Sequence, residues 1–128
     1  MIRFREPSDL RLWFGRFPSF HDANVLNFQL HGNGTGKLKV QTWKMTDKVD
    51  SKGFFILESH VVVTFVFEEV TSVNLVEFME GAILDHVNIR KSSDEFEFTI
   101  DSSYGFHGSL WARQVRVEFQ PGQALNND

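Results

Sequence analysis

The chain has 128 residues, of which 41% are hydrophobic and 14% aromatic, and it contains 14 phenylalanines but no cysteine. This length is typical of a single domain with one hydrophobic core, and the apolar content excludes an intrinsically disordered chain. The absence of cysteine excludes disulfide bonds, a thiol nucleophile and thiolate metal sites. The first residues include no apolar signal segment, and no run of about 18 apolar residues occurs that would span a membrane. We therefore expect one cytoplasmic domain over residues 1–128.

The net charge of −4 is unevenly distributed along the chain. Residues 1–46 carry seven Lys or Arg against three Asp or Glu, whereas residues 47–101 carry four against twelve. An acidic segment repels a phosphate backbone and attracts a basic partner, mainly by raising the association rate. Surface acids that only keep a protein soluble give the same pattern. The charge thus disfavours a nucleic-acid partner and leaves a basic protein partner open.

Residues 7–17 form the only segment with helical periodicity. Its apolar residues recur at spacings of three and four, at Leu10, Trp13, Phe14 and Phe17. Pro7 suits a first helical turn, with Ser8 or Asp9 as the cap. Pro18 then ends the predicted helix, because the residue before a proline avoids the α region. Arginines interleaved with these aromatics would also suit single-stranded nucleic acid, but aromatics at helical spacing are more typical of a core.

Alternation of apolar and polar residues predicts strands in most of the remaining chain. The first such strand covers residues 26–30. Residues 31–36, HGNGTG, then predict a chain reversal, because Gly and Asn tolerate positive φ. Trp43 falls out of phase with the apolar residues before it. We therefore expect a β-bulge or a change of strand partner near residues 41–42, as in a curved sheet.

The other predicted strands are short and separated by turns. They comprise residues 54–57, 61–67, 73–75, 83–89, 96–100 and 111–119, with a charged loop at 46–53 and a turn at 92–94. Residues 61–67 are apolar on both faces, which predicts a central strand. In the last strand, Trp111 is predicted to face the same way as Val115 and Val117. The expected fold class is mainly β (β-rich α+β), an antiparallel sandwich or strongly curved sheet of about 7–8 strands with one short N-terminal helix.

Two polar clusters contain residue types that suit catalysis or binding. The first is Phe20-His21-Asp22, between the predicted helix and the first predicted strand. Adjacent side chains at this spacing diverge, so His21 and Asp22 are not expected to pair with one another. They would need partners elsewhere for acid–base catalysis. Asp22 is expected instead to accept backbone N–H bonds within a turn.

The second cluster lies in residues 101–108, which are predicted as a loop containing Asp101, Tyr104 and His107. A Ser–His–Asp site needs side chains in mutual hydrogen-bond reach and an oxyanion site, and no Gly-x-Ser-x-Gly elbow occurs. An exposed Tyr104 near Trp111 would suit a protein-binding hot spot. The candidate binding residues are therefore His21, Asp22, Asp101, Tyr104, His107 and Trp111, and no catalytic residue is assigned.

Metal and nucleotide sites are not expected. The five histidines show no His-x-His, His-x-x-x-His or His-Glu-x-x-His spacing, which are the patterns that bring metal ligands together. Gly32, Gly34 and Gly36 resemble a phosphate-binding loop, but no predicted helix follows them to offer its N-terminus. The chain is therefore expected to hold no cofactor.

Four stretches of the sequence resemble a known group of proteins. They are Pro18–Ala23 running into Val25-Leu26, Met45–Asp47, Thr64–Phe67, and Asp101–Gly105 with Gly108 and Arg113–Val117. In their order and spacing the chain resembles the immunity protein 50 family, which belongs to the bacterial immunity proteins that accompany polymorphic toxins. The resemblance implies a small cytoplasmic antitoxin that binds and occludes a cognate toxin domain. It implies no catalysis and assigns no toxin-contacting residue.

Three functions remain open from the sequence. The first is the immunity protein, for which a toxin with a basic cleft, such as a nuclease, would suit the acidic segment. The second is a β-rich protein that serves another interaction or oligomerisation. The third is a small enzyme or ligand-binding protein that uses the His/Asp/Tyr clusters, and a concavity holding both clusters would favour it. Exposed edge strands allow a monomer or a sheet-mediated homodimer, and neither nucleic acid nor membrane is an expected partner.

Overall fold

The computed structural model describes residues 2–4, 7–15, 18, 20–49, 51–53 and 55–122. Within these residues the chain forms seven strands and little helix. The strands are β1 (Ile2–Phe4), β2 (Asn24–Leu30), β3 (Gly36–Val49), β4 (Phe55–Val76), β5 (Ile83–Ser92), β6 (Glu95–Tyr104) and β7 (His107–Pro121). A 3-10 turn at Pro7–Leu10 and a short helix, α1 (Arg11–Phe14), lie between β1 and β2. The mainly β class that the alternation predicts is confirmed.

The strands form one antiparallel sheet that closes on itself. Their order is β1-β7-β4-β3-β2-β5-β6, and β6 also pairs with β7. One edge of β7 pairs with β4 along nearly its whole length, and the other edge pairs with β6 at Gly108–Ala112 and with β1 at Val117–Phe119. Of the two predicted architectures, the strongly curved sheet is therefore the one that forms. The strand at 61–67, predicted to be central, lies in β4 between β3 and β7.

Aromatic side chains fill the interior of the closed sheet. Along β4, Phe65 and Phe67 alternate with residues on the outer face and are at most 1% exposed. Phe65 lies against Phe20 and Phe98, with ring centroids 5.4 and 4.9 Å apart, and Phe67 lies 5.0 Å from Phe98. All three contacts are edge-to-face, the geometry that the ring quadrupole favours. We call Phe20, Phe65, Phe67 and Phe98 the inner aromatic cluster.

The irregularity predicted near residues 41–42 lies on the β2 side of β3, where the pairing shifts opposite Val40 and Lys39 and ends at Gln41. The loop predicted at 46–53 is shorter than expected, because residues 46–49 belong to β3 and residues 51–53 form a turn. β3 pairs with β4 without a shift from Gly36 to Lys44, the register shifts lie after Lys44, and the strand continues to Val49. Gln41 and Thr42 are both buried although they are neighbours in the strand. Gln41 Nε2 donates to the carbonyl oxygen of Val61 at 3.0 Å. A hydrogen-bonded amide can be buried like an apolar side chain. The polar residues at 41 and 42 therefore do not mark the exposed face of the strand.

Two further strand predictions need correction. Residues 73–75, predicted as a separate strand, belong to β4, which carries a register shift between Val70 and Ser72. In β7, Ala112 is buried and Trp111 is partly exposed, the reverse of the prediction, whereas Val115 is buried as predicted. The buried face of β7 thus changes from even to odd positions opposite the irregular part of β4. Sequence alternation within one strand does not reveal a bulge in its partner.

The N-terminal helix is shorter than predicted. Gly15 adopts the left-handed conformation at φ 84°, and its N–H bonds to the carbonyl of Arg11, which ends α1 at Phe14. This is an ordinary glycine stop. The predicted helix end at Phe17 lies outside the described residues, and the N-cap of α1 is Leu10, without a side-chain cap bond, instead of Ser8 or Asp9. Neither helical segment among the described residues is long and apolar enough to span a bilayer.

Candidate functional site

A strained turn before β2 presents the first predicted cluster. Phe20 and Asp22 both have positive φ, at 62° and 65°, a conformation that costs a bulky residue such as Phe energy. The backbone of the turn is tied to β5, because Asp22 N donates to Leu84 O and Leu84 N donates to Ala23 O, both at 2.9 Å. The Phe20 ring is buried in the inner aromatic cluster. The turn therefore anchors Phe20 inside the sheet and leaves His21 and Asp22 exposed on its surface.

His21 and Asp22 form one end of a row of alternating carboxylates and imidazoles. His21 Nε2 lies 3.6 Å from Asp22 Oδ2, and His21 Nδ1 lies 3.1 Å from Asp85 Oδ1. The other oxygen of Asp85 lies 3.4 Å from His86 Nδ1, and His86 Nε2 lies 2.9 Å from Asp101 Oδ2. We call these five residues the histidine–aspartate row. It crosses from the turn before β2 over β5 to β6.

The row corrects two predictions about the first cluster. The side chains of His21 and Asp22 do not diverge but contact one another. Within the described residues, the Asp22 carboxylate faces His21 and does not cap the backbone of its turn. The positive φ of Asp22 explains the first correction, because the expectation of divergence assumes extended or helical backbone. The row also joins His21 of the first predicted cluster to Asp101 of the second.

Sequence reasoning missed Asp85 and His86, which connect the row. Adjacent residues of a regular strand point to opposite faces, so the Asp85-His86 pair gave no reason to expect a joint site. β5 has register shifts between Ile83 and Leu84 and between Leu84 and His86. The irregularity lets both side chains reach the same surface. The useful signal was the pairing of β5 with β6, which places His86 opposite Asp101.

The row is a surface feature. Its side chains are between 48% and 62% exposed, and exposed ion pairs contribute only about 0–1 kcal/mol each to stability. The described part of the chain contains no group of three or more His, Cys, Asp or Glu side chains arranged to hold a metal ion. Ser102, next to Asp101, uses its hydroxyl oxygen to accept a bond from Phe106 N at 3.2 Å. The row therefore offers a set of oriented donors and acceptors to a partner.

The other predicted binding residues lie elsewhere. The predicted loop at 101–108 is mostly strand, because β6 continues to Tyr104 and β7 begins at His107. Tyr104 is exposed, and His107 is exposed opposite Val76 of β4. Trp111 lies farther along β7 between Glu97 and Ser72. The structure therefore places His21, Asp22 and Asp101 in the row, Tyr104 and His107 at the β6–β7 turn, and Trp111 within the sheet.

A second surface feature adjoins the β6–β7 turn. Phe78, in the connection between β4 and β5, is 57% exposed. Its ring lies 5.1 Å from that of the buried Phe106 and 6.3 Å from that of Phe28, and Phe28 lies 5.3 Å from Phe106. We call Phe28, Phe78 and Phe106 the outer aromatic cluster. The sequence predicts only a link between strands here, because Phe78-Met79 would look the same in sequence if the pair were buried.

Comparison with known proteins shows that the chain matches a family model. The family model described as Immunity protein 50 matches residues 6–120. No curated protein and no solved structure matches the chain. The matched range contains β2 to β6 and most of β7, and therefore both the histidine–aspartate row and the outer aromatic cluster. It agrees with the family that the four sequence motifs predict.

Proposed function

Because the chain belongs to the immunity protein 50 family, we propose that it neutralises a cognate toxin by binding the toxin domain directly. The family match over residues 6–120 carries the proposal. The surface supports a contact role, since it displays exposed apolar side chains and oriented acidic groups. We propose that this binding takes place in the cytoplasm. A chain without cysteine forms no disulfide bonds and so does not depend on an oxidising compartment.

The charge of the chain supports a toxin with a basic binding surface. From residue 53 to residue 89 the sequence contains six Asp or Glu and no Lys or Arg. This stretch covers most of β4, the connection that carries Phe78, and the first part of β5. Glu68 in this stretch pairs with Arg116 of β7, whereas Glu77 and Glu80 are exposed. Exposed acidic groups steer an oppositely charged partner toward them and raise the association rate. The proposed partner is therefore a toxin domain whose contact surface is rich in Lys and Arg.

A titration of toxin activity tests the proposed function. The genes beside that of this chain are first searched for a toxin, whose C-terminal domain is the reagent, and an unrelated toxin domain serves as the specificity control. Neutralisation by binding predicts that activity falls linearly and reaches its minimum at an equimolar ratio. Co-expression of the chain should restore growth to cells that produce this toxin domain. Full toxin activity in the presence of excess folded protein would contradict the proposal.

The histidine–aspartate row favours a second function, in which the protein inactivates its target by acid–base chemistry. His86 lies between two carboxylates, an arrangement that fixes the orientation of an imidazole for proton transfer. An enzyme acts repeatedly. The extent of neutralisation would then increase with time and would become complete at a molar ratio of this protein to toxin far below one. Replacement of His86 by Gln would abolish it. The binding function predicts a stoichiometric endpoint that does not change with time and that the H86Q variant retains.

A further inference from the structure

One end of the closed sheet carries a compact apolar surface. The large hydrophobic side chains most exposed there are Val76, Phe78, Met79 and Tyr104, with exposed fractions from 45% to 57%. We call these four residues the apolar end surface. The first three are close in sequence, and Met79 N donates to Gly105 O at 2.9 Å, which places Met79 beside the residue that follows Tyr104. Isolated exposed hydrophobics are normal, but a group of them marks an interaction site.

The apolar end surface is held in place before any partner arrives. The Phe78 ring packs edge-to-face against Phe106, which is completely buried, and it also contacts Phe28. A Cβ atom at Gly105 would lie only 3.0 Å from the Met79 Cβ, so the β6–β7 turn and the β4–β5 connection are in close contact. A side chain that is already fixed loses little entropy on binding. Phe78 therefore has the properties of a hot-spot residue, an exposed aromatic on a rigid base.

The charges around the apolar end surface indicate the kind of partner. Glu77 and Glu80 flank Phe78 and Met79 and are exposed. Neither glutamate forms an ion pair with any residue that the structure describes. Unpaired acidic groups at the rim of an apolar patch attract a partner in which Lys or Arg surrounds an apolar cleft. A second copy of this chain would bring these glutamates against one another, and an anionic lipid surface would repel them.

We infer that the toxin domain docks on the apolar end surface, with Phe78 and Met79 entering an apolar cleft that is bordered by Lys and Arg. This inference rests on the proposed function and adds the surface that performs it. The histidine–aspartate row then lies outside the central contact. Its carboxylates already contact imidazole nitrogens, so they are less available to a partner than those of Glu77 and Glu80.

The test measures the affinity of an active-site-inactivated toxin domain, the one encoded beside the gene of this chain, for the wild-type protein and for variants. Phe78→Ala and Met79→Lys should each weaken binding by about 30-fold or more, the loss that defines a hot spot. Ser93→Lys is the control, because it adds the same lysine at the exposed β5–β6 turn, the far end of that hairpin from Tyr104. It should change the affinity by less than about threefold, as surface changes outside an interface do.

A second pair of variants tests the charges. Glu77→Lys combined with Glu80→Lys should lower the association rate by about tenfold at low ionic strength, and the loss should shrink at high salt. Asp94→Lys at the β5–β6 turn is the matched control for Glu77→Lys alone, since each reverses one charge, and it should have the smaller effect. Circular dichroism and denaturant unfolding confirm that each variant is folded. Met79→Lys and the glutamate variants keep the test decisive if Phe78→Ala lowers the stability too far.

Two results would overturn the inference while the proposed function stands. The first is that the wild-type protein binds the toxin domain and that the Phe78, Met79 and glutamate variants bind it with an affinity within about threefold of wild type. The second is a wild-type dimer in solution that Phe78→Ala converts to monomer without weakening toxin binding. Failure of the folded wild-type protein to bind the toxin domain at all would instead contradict the proposed function itself.

Discussion

Two groups of phenylalanines occupy this chain, and they differ in how completely they are buried. The four rings of the inner aromatic cluster are all fully or almost fully buried within the closed sheet. In the outer aromatic cluster, Phe106 is buried and Phe28 partly buried, whereas Phe78 is 57% exposed. The contacts within both groups have similar ring distances of about 5 to 6 Å, in the range typical of aromatic pairs. The difference shows that ring–ring packing stabilises the fold in one group and positions an exposed ring in the other.

The largest expected effect separates the two groups by stability. Phe98→Ala removes a fully buried ring that contacts Phe65 and Phe67, and it should lower the free energy of unfolding by about 3–5 kcal/mol. Phe78→Ala removes a ring that is mostly in water and should cost about 1 kcal/mol. Urea unfolding of both variants measures the difference. Equal losses would mean that the outer cluster belongs to the core and would remove the basis for the comparison.

The strands that alternation predicted correctly are those with one buried face and no bulge. The turn at 31–36 and the turn at 92–94 were predicted correctly, because Asn-Gly chemistry and Ser-Asp turns act locally. Closure of the sheet was not predicted, since the pairing of β6 with β7 depends on how the whole sheet twists and curves. The switch of the buried face at Trp111 was missed because the irregularity lies in the partner strand.

The next largest effect concerns the attachment of the outer aromatic cluster to β4. Gly108 follows the β6–β7 turn, has φ 138°, and leaves no room for a Cβ, which would lie 2.8 Å from the Leu75 Cα. Gly108→Ala should destabilise the protein by about 2 kcal/mol or more. Gly32→Ala is the control, because nothing lies within 4 Å of its added Cβ. Thermal unfolding that shows equal shifts for both variants would argue against close packing at this end of the sheet.

The smallest effect is expected in the histidine–aspartate row. Asp85→Ala removes the carboxylate that contacts both His21 and His86, but these contacts are exposed and should contribute less than about 1 kcal/mol to stability. Asp94→Ala provides the matched loss of an exposed carboxylate outside the row. If Asp85→Ala weakens toxin binding more than Phe78→Ala does, the central contact lies on the row and not on the apolar end surface.

The candidate site was predictable only in part. His21, Asp22 and Asp101 were identified from residue type and turn composition, and the structure joins them. Their connection through Asp85 and His86 required a bulged strand and a strained turn, neither of which leaves a clear signature in one sequence. Phe78 and Met79 were missed because an exposed apolar pair and a buried one look alike in sequence. The structure is needed to show that the Phe78 ring packs on Phe106 while more than half of the side chain stays exposed to solvent.

Calorimetric titration tests the claim that this member of the immunity protein 50 family acts by direct binding. The folded chain is titrated into the inactivated toxin domain that is encoded beside its gene. Direct binding to a basic surface predicts a saturating heat with an equimolar endpoint. It also predicts an affinity that falls as ionic strength rises from about 0.1 M to about 1 M, where the Debye length shortens from about 10 Å to about 3 Å. Absence of saturable binding between the two folded proteins would contradict the claim, and binding unaffected by salt would contradict the basic partner surface.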